Sequence, residues 1–369
     1  MKKNKVLFVL HQSPPPHGAA KVGDFIASSN KIKNYYQARF VKIESSERVE
    51  DIGKYSLKKI FLALSLFCKV LYVLVTFRPE KIYFTASISS VAFYRDLFIS
   101  SLWKVYRLFK KADVYYHYHT KGIDEFVSSS KINLILTRFF IRNINLILLS
   151  NLLSDDFKKV KTYKKIFYLP NGIEDLIDDD LFKKSIDFKY RNMNSINVLY
   201  LSHMTTNKGY KSVLDLALKT KKDNIHYNFA GEWGSKEDKD FFSGFIDKNS
   251  LNDKVTYHGF VSGNEKSALF NRSHILAYPS KNDAFPLTIL ESLSHGVPII
   301  SSNEGSISFI LDNKCGLVIK EIHNFPDIFD EYKKELVNKE TALYCREKFH
   351  RDFTLDIFQN NLTNILDLT

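Results

Sequence analysis

From Lys281 to Ile300 the chain reads KNDAFPLTILESLSHGVPII, and no other stretch constrains the fold as tightly. Pro286 suits the first turn of a helix, where its missing N–H costs nothing, and Gly296 suits the left-handed position that ends one. A helix over Leu287 to His295 is therefore expected. HILAYPS (His274 to Ser280) precedes it and VPIISS (Val297 to Ser302) follows it, both apolar runs of strand length. A strand, loop, helix, strand unit places its loop at the carboxyl end of the first strand. The helix then turns its backbone N–H groups and positive dipole end toward that crevice, where an anion can rest. Two acids, Asp283 and Glu291, lie in this unit with seven residues between them.

At 369 residues the chain exceeds one ordinary core, which implies two domains. Its three cysteines, Cys68, Cys315 and Cys345, are widely spaced without a CxxC, which argues against a disulfide framework or zinc cluster and for a reducing compartment. MKKNKVLFVLHQ has an apolar run too short for an export signal and reads as a first strand. The expectation is a cytoplasmic protein. A net charge of +12 concerns partners rather than fold, and nucleic acid and an anionic membrane are the two candidates. Between Ser56 and Lys111 ten basic residues face two acids, Glu80 and Asp96, with aromatic and aliphatic residues interleaved. An interfacial membrane helix has this composition, and so does a solvated basic face over a buried apolar one. Within it, Ile60 to Phe77 is apolar enough to suggest a span. Lys69 near its middle and Arg78-Pro79 at its end point instead to a buried or interfacial helix.

Further apolar runs read as strands: Lys5 to Leu10, Lys81 to Ala86, Val114 to His119, Ile144 to Ser150, Ile166 to Leu169, Ile196 to His203, Ile225 to Gly231, Lys254 to Val261 and Cys315 to Ile319. After the first comes HQSPPPHGAA, stiffened by Pro14, Pro15 and Pro16, with Gly18 before a helix from Ala19. His117 and His119 sit two apart and so share a face of their strand. They form a plausible metal pair, but no third ligand is spaced to join them. LLSNLLSDDF begins a helix, and Pro170-Asn171-Gly172 is a turn signal. The charged, poorly periodic residues that follow place a linker near 175 to 195, where Asp178 to Asp180 read as a solvated run. The expected domains are 1–180, 190–347 and a C-terminal helix over 348–369.

PS-x2-DAFPL-x3-E-x3-HG-x-P resembles the signature of retaining, nucleotide-sugar-dependent glycosyltransferases of family 4. The resemblance implies an α/β GT-B fold, two Rossmann-like domains facing a central cleft with the C-terminal helix crossing back to the first. In the family Glu291 would hold the nucleotide ribose and Asp283, one methylene shorter than the usual Glu, would contact the donor sugar. Phe285, Pro286 and Leu287 would present the helix start to the diphosphate. Lys208-Gly209 resembles the family's K-G, which grips the diphosphate, while His203 stands where Arg is usual and lacks its fixed fork of donors. VYYHYHTKG resembles HxH-x2-G and puts His119 beside the reacting sugar. Gly18-Ala19 resembles the family's small-residue loop, Gly259 and Phe260 end the strand that lines the nucleobase pocket, and PNGIE resembles the start of the interdomain linker.

The implied reaction moves a sugar from a nucleoside diphosphate to a hydroxyl of a glycan or lipid-linked acceptor, with no metal or other cofactor. An anionic membrane surface, at the inner face of the cell membrane, is the second expected partner. A sugar-nucleotide epimerase of the same fold is the alternative enzyme. A nucleic-acid-binding protein fits the charge alone, because no helix-turn-helix, RNP or zinc-finger pattern is present.

Overall fold

The computed structural model describes residues 3–15, 17–44, 57–191 and 193–368. Pro16 and Ser56, which entered the sequence reading, lie outside the described residues, as does the side chain of Lys58. The chain divides into two compact units, Met1–Asn171 with Leu355–Thr369, and Gly172–Thr354.

The first unit runs β1 (Lys5–His11), α1 (Gly18–Ser28), α2 (Asn30–Tyr35), β2 (Gln37–Ile43), α3 (Leu57–Phe77), β3 (Lys81–Ala86), α4 (Ser90–Phe109), β4 (Asp113–Tyr118), α5 (Ile123–Ser128), α6 (Lys131–Phe140), β5 (Asn145–Leu148) and β6 (Lys165–Tyr168). All its strand pairs are parallel, in the order β2-β1-β3-β4-β5-β6. Strands buried on both faces need apolar residues at nearly every position, and β3 is buried along its whole length. The chain leaves β1 toward β2 in one direction and runs from β2 to β6 in the other. Right-handed crossovers therefore put α1 and α2 on one face and α3, α4 and α6 on the opposite one. LLSNLLSDDF, expected to begin a helix, does so as a 3₁₀ helix over Asn151–Val160.

The second unit contains α7 (Asp179–Arg191), β7 (Ile196–Leu201), α8 (Tyr210–Lys219), β8 (Ile225–Ala230), α9 (Lys236–Asn249), β9 (Val255–Tyr257), α10 (Gly263–Arg272), β10 (Ile275–Tyr278), α11 (Leu287–Ser294), β11 (Ile299–Ser302), α12 (Ile307–Ile310), β12 (Gly316–Ile319), α13 (Phe325–Leu336) and α14 (Lys339–Asp352). Its strands are also parallel, in the order β12-β11-β10-β7-β8-β9. The order reverses between β7 and β10. That switch point is where doubly wound sheets open a crevice beyond their strand ends.

The expected linker at 175 to 195 is largely a helix. In α7, Phe182 and Ile186 are buried one turn apart and pack with Ala342 of α14, a spacing that the surrounding charges obscure in the sequence. Nor is the acidic triplet simply solvated. Asp178 accepts from the backbone N–H groups of Asp180 and Leu181, both at 3.0 Å, and so caps α7. The chain enters the second unit within the PNG turn and returns to the first at Leu355, not at Lys348. α14 stays in the second unit because Phe349 is buried there and Arg346 binds Asp175 and Asp179. The last helix, α15 (Leu355–Asp367), buries Phe358, Leu362 and Ile365 in the first core, on the α1 and α2 side. Tyr36 donates to Asp367 at 2.8 Å and Lys31 pairs with Asp356 at 2.7 Å.

Candidate active site

At the switch point of the second unit, the loops after β7 and β10 meet. Thr206–Lys208 form a 3₁₀ turn closed by Gly209 at φ +83°, and a Cβ there would lie 2.1 Å from the Pro279 carbonyl oxygen. Only glycine permits that approach, which brings Lys208 onto the β10 loop. The Lys208 ammonium bonds the Asp283 carboxylate at 2.7 Å and the Asn282 carbonyl at 2.8 Å. The other Asp283 oxygen accepts from Tyr278 at 2.9 Å and Ser280 at 2.5 Å. Burial, and then the Asp283 charge, pushes the Tyr278 phenol well above its usual pKa, so it remains a donor at neutral pH. On the other side, Gly305 sits at φ +53° and its Cβ would lie 2.2 Å from the Asp283 carbonyl oxygen. Asp283 is thus held by three side chains, with Gly305 packed close against its backbone.

Immediately beyond, α11 begins at Leu287 with Pro286 as its extended N-cap and no capping side chain. Its first N–H groups and dipole point into the same crevice. Phe285 is buried beneath the turn. The helix ends as the sequence implies, with Gly296 at φ +63° accepting the chain reversal. Glu291, one turn into α11, pairs with Lys266 of α10 at 2.6 Å. His203 follows β7 with an exposed imidazole. Gly259 and Phe260 lie beyond β9 at the sheet edge, the Phe260 ring 60% exposed. The structure therefore joins Lys208, Asp283 and residues 285 to 287, sets Glu291 one turn away, and leaves Gly259 and Phe260 two strands off.

In the first unit, His11 ends β1, His17 caps α1, and His117 and His119 lie at the end of β4. The His117 and His119 rings are 4.0 Å apart, those of His11 and His17 5.8 Å. Burial lowers His119 to about 3, with the neighbouring His17 second. It also holds His117 well below the usual range, as it does His11, to which Arg95, His17 and His119 add. These rings are neutral at pH 7. His117 Nδ1 is hydrogen-bonded to Tyr83, whereas His117 Nε2 and the Nδ1 atoms of His11 and His119 are buried with no partner among the described residues. Gly18 is the first residue of α1, one before the expected start, and Ala19 follows it. Two helix starts here, those of α1 and α5, are filled by side chains of the protein itself. His17 Nδ1 accepts from Ala20 at 3.3 Å, and the Asp156 carboxylate accepts from Gly122, Ile123 and Asp124 at 2.7 to 3.0 Å.

One group of potential metal ligands occurs among the described residues, Asp175, Asp179 and His350. The Arg346 guanidinium already binds both carboxylates, at 2.7 and 2.9 Å, so this is an ion-pair cluster. Sequence reasoning missed Lys266, which lies in a helix without a motif, and His11, which ends an unremarkable apolar strand. Ser280 was in the quoted signature but had been given no role.

The sequence profile of the family described as glycosyl transferases group 1 matches residues 182–349. A glycosyltransferase from Rickettsia africae ESF-5 has a TM-score of 0.74 at 15% identity, over 99% of this chain and 98% of that one. Anabaena HepE, solved in complex with UDP-glucose, has a TM-score of 0.67 at 15% identity, over 99% and 100%. The O-antigen biosynthesis glycosyltransferase WclY of Escherichia coli is 27% identical over 205 residues, 54% of this chain and 52% of that protein. The chain spans about half the length of the curated relatives it matches. Its two parallel, doubly wound sheets define the GT-B fold. The residues that this family's profile matches lie within the second unit and include Lys208, Asp283 and Glu291.

Proposed function

We propose that the protein transfers a sugar from a nucleoside diphosphate to an acceptor hydroxyl, with retention at the anomeric carbon. The observation that carries this reading is the convergence of Lys208, Asp283 and the uncapped start of α11 at the switch point of the family-matched unit. The bond from the anomeric carbon to the diphosphate breaks, the acceptor oxygen bonds that carbon on the same face, and the acceptor proton leaves with the diphosphate. Charge grows on the departing phosphate, so a fixed ammonium and aligned N–H groups stabilise the transition state more than the ground state. Lys208 and the first backbone N–H groups of α11, which follow Phe285-Pro286, supply them, without a metal or other cofactor. Glu291 holds the ribose, Asp283 the donor sugar and His119 its reacting face. His203, in the usual place of an Arg, Gly259 and Phe260 at the nucleobase end, and Gly18 and Ala19 complete the donor contacts.

The UDP-glucose bound to HepE supports a nucleotide-sugar donor, and the O-antigen role in the name of WclY supports a lipid-linked glycan acceptor made on the cytoplasmic side of a membrane. The test is incubation with a panel of UDP-, GDP- and ADP-sugars, with and without lipid-linked acceptors, reading the anomeric configuration of the product by NMR. A product with the donor's configuration, formed only with acceptor, is expected. An inverted product, or an altered donor released without acceptor, would overturn the proposal.

A further inference from the structure

We infer that the outward face of α3, together with the adjoining faces of α4 and α6, docks onto an anionic lipid bilayer. The starting point is that α3 is largely apolar on its outward side as well as its inward one, with Lys69, paired to Glu44, and Thr76 as the exposed polar residues there. Its inward stripe, Leu66, Val70, Leu74 and Phe77, is buried against the sheet. Most of the outward face is also apolar but exposed: Phe61 at 72%, Leu64, Cys68, Leu71, Tyr72 at 68% and Val75. A helix face turned to water is ordinarily polar, and a large exposed apolar patch marks a binding surface. The patch continues sideways. Phe67 of α3 stacks on Phe98 of α4 at 4.5 Å, and α4 adds Val105, Leu108 at 78% exposure and Phe109 at 86%. Lys104 lies 4.7 Å from the Phe139 ring of α6, which itself exposes Ile132, Ile135 and Phe139. The other face of the sheet is covered by α1, α2 and α15. On this face α3, α4 and α6 cover the sheet, and among the described residues no further layer covers their outward sides.

Charge selects the occupant. Arg78, Lys104, Arg107, Lys110 and Lys111 border the patch, and no carboxylate among the described residues pairs with Arg78, Lys104, Arg107 or Lys110. The two acids of this stretch are engaged elsewhere, Asp96 with Arg95 and Glu80 with the Lys5 backbone. A second copy docked through the same patch would bring like charges together, because a two-fold interface matches a surface with itself. Anionic headgroups neutralise the cations while the acyl boundary takes up the apolar stripe, with Tyr72 amphipathic between them.

α3 is long and apolar enough to cross a membrane. It lies along the surface instead, because it is the crossover between β2 and β3, whose sheet neighbour is β1, and spanning would withdraw Leu66, Val70 and Leu74 from the core. Membrane docking brings the first unit to where a lipid-linked acceptor resides, but it stands apart from the donor reading and is measured without any sugar nucleotide.

Cys68 provides the reporter, because Cys315 and Cys345 are buried. The full chain, labelled at Cys68 with a polarity-sensitive fluorophore, is mixed with vesicles of phosphatidylglycerol and phosphatidylcholine or of phosphatidylcholine alone. Blue-shifted emission and co-flotation are expected with the anionic vesicles, weakening as salt rises from roughly 0.1 to 1 M, and little of either with neutral ones. The double variant Leu64→Glu, Val75→Glu alters exposed side chains only. With an unchanged circular dichroism spectrum, it should lose about tenfold or more in vesicle binding. Absence of a shift and of flotation with anionic vesicles would overturn the inference. So would a shift that needs no vesicles and grows with protein concentration, the result expected if a second copy covers the face.

Discussion

The two sheets share a parallel, doubly wound plan, yet their switch points are chemically opposite. In the second unit the crevice between β7 and β10 holds an ammonium, a carboxylate fixed by three side chains and a helix start that no side chain caps. At the carboxyl edge of the first sheet, by contrast, neutral imidazoles gather and the start of α5 is filled by the protein's own Asp156. Fixed charge and N–H groups without a side-chain cap suit an anion, whereas neutral imidazoles, whose nitrogens can donate or accept, suit hydroxyls. One fold thus carries two chemically different edges, and the difference lies in a fixed ammonium and carboxylate at one and clustered neutral imidazoles at the other.

The largest effect expected from breaking this asymmetry is at Lys208. Lys208→Ala should slow transfer by about 10²–10³-fold at saturating donor, the scale of losing one preorganised charge stabiliser. Unchanged turnover would remove Lys208 from the site. Next is Asp156→Ala, which strips the α5 start of its acceptor and should destabilise the first unit by about 1–3 kcal/mol. Trp103 and Trp233, the only tryptophans, lie one in each unit, so fluorescence melts of a Trp233→Phe background report the first unit alone. A loss of donor affinity in Asp156→Ala without a lowered melting temperature would show that this edge, too, binds anions.

Smaller changes separate the two acids of the second unit. Glu291→Gln should raise KM by a similar factor for every sugar on one base, because a ribose contact does not see the sugar. Asp283→Glu should instead reorder the sugars, since a misplaced polar group is costly only where a hydroxyl meets it. Steady-state kinetics over a donor panel decides between them, and an equal shift of all donors by Asp283→Glu would reverse the assignment. The smallest effect concerns pH. Burial holds His119 at about 3 and His274 and His295 at about 4, below their unfolded value near 6.5. The unfolded chain therefore takes up protons first on acidification. Stability is full above about pH 6.5 and falls as the pH drops toward 4. Because the first-unit imidazoles face one another, its Trp103 melt should fall more steeply than the Trp233 melt, and parallel declines would argue against a coupled cluster.

Much of this was legible in the chain because buried parallel strands need unbroken apolar runs, and each expected run became a strand within a few residues. The turn between β10 and α11 was legible for a related reason, since Pro286, Gly296 and the spacing of the acids are local requirements. α7 was not, because Phe182 and Ile186 are two apolar positions among many charges and only α14 reveals their purpose. Lys266 was likewise hidden, as its value lies in a contact with a helix that the chain reaches only after β10. The face of α3 was ambiguous in principle, since a largely apolar helix reads alike whether it is buried or interfacial.

Calorimetric titration of the free nucleoside diphosphate, whichever of UDP, GDP or ADP the wild type binds, tests the asymmetry most directly. The free diphosphate lacks the sugar, so it should engage only the charged edge. Lys208→Ala and Glu291→Gln should each weaken its binding by about tenfold or more, the scale of a lost charge-assisted hydrogen bond, and His119→Ala should leave it unchanged. A loss in His119→Ala as large as that in Lys208→Ala, or full affinity in Lys208→Ala, would contradict the account.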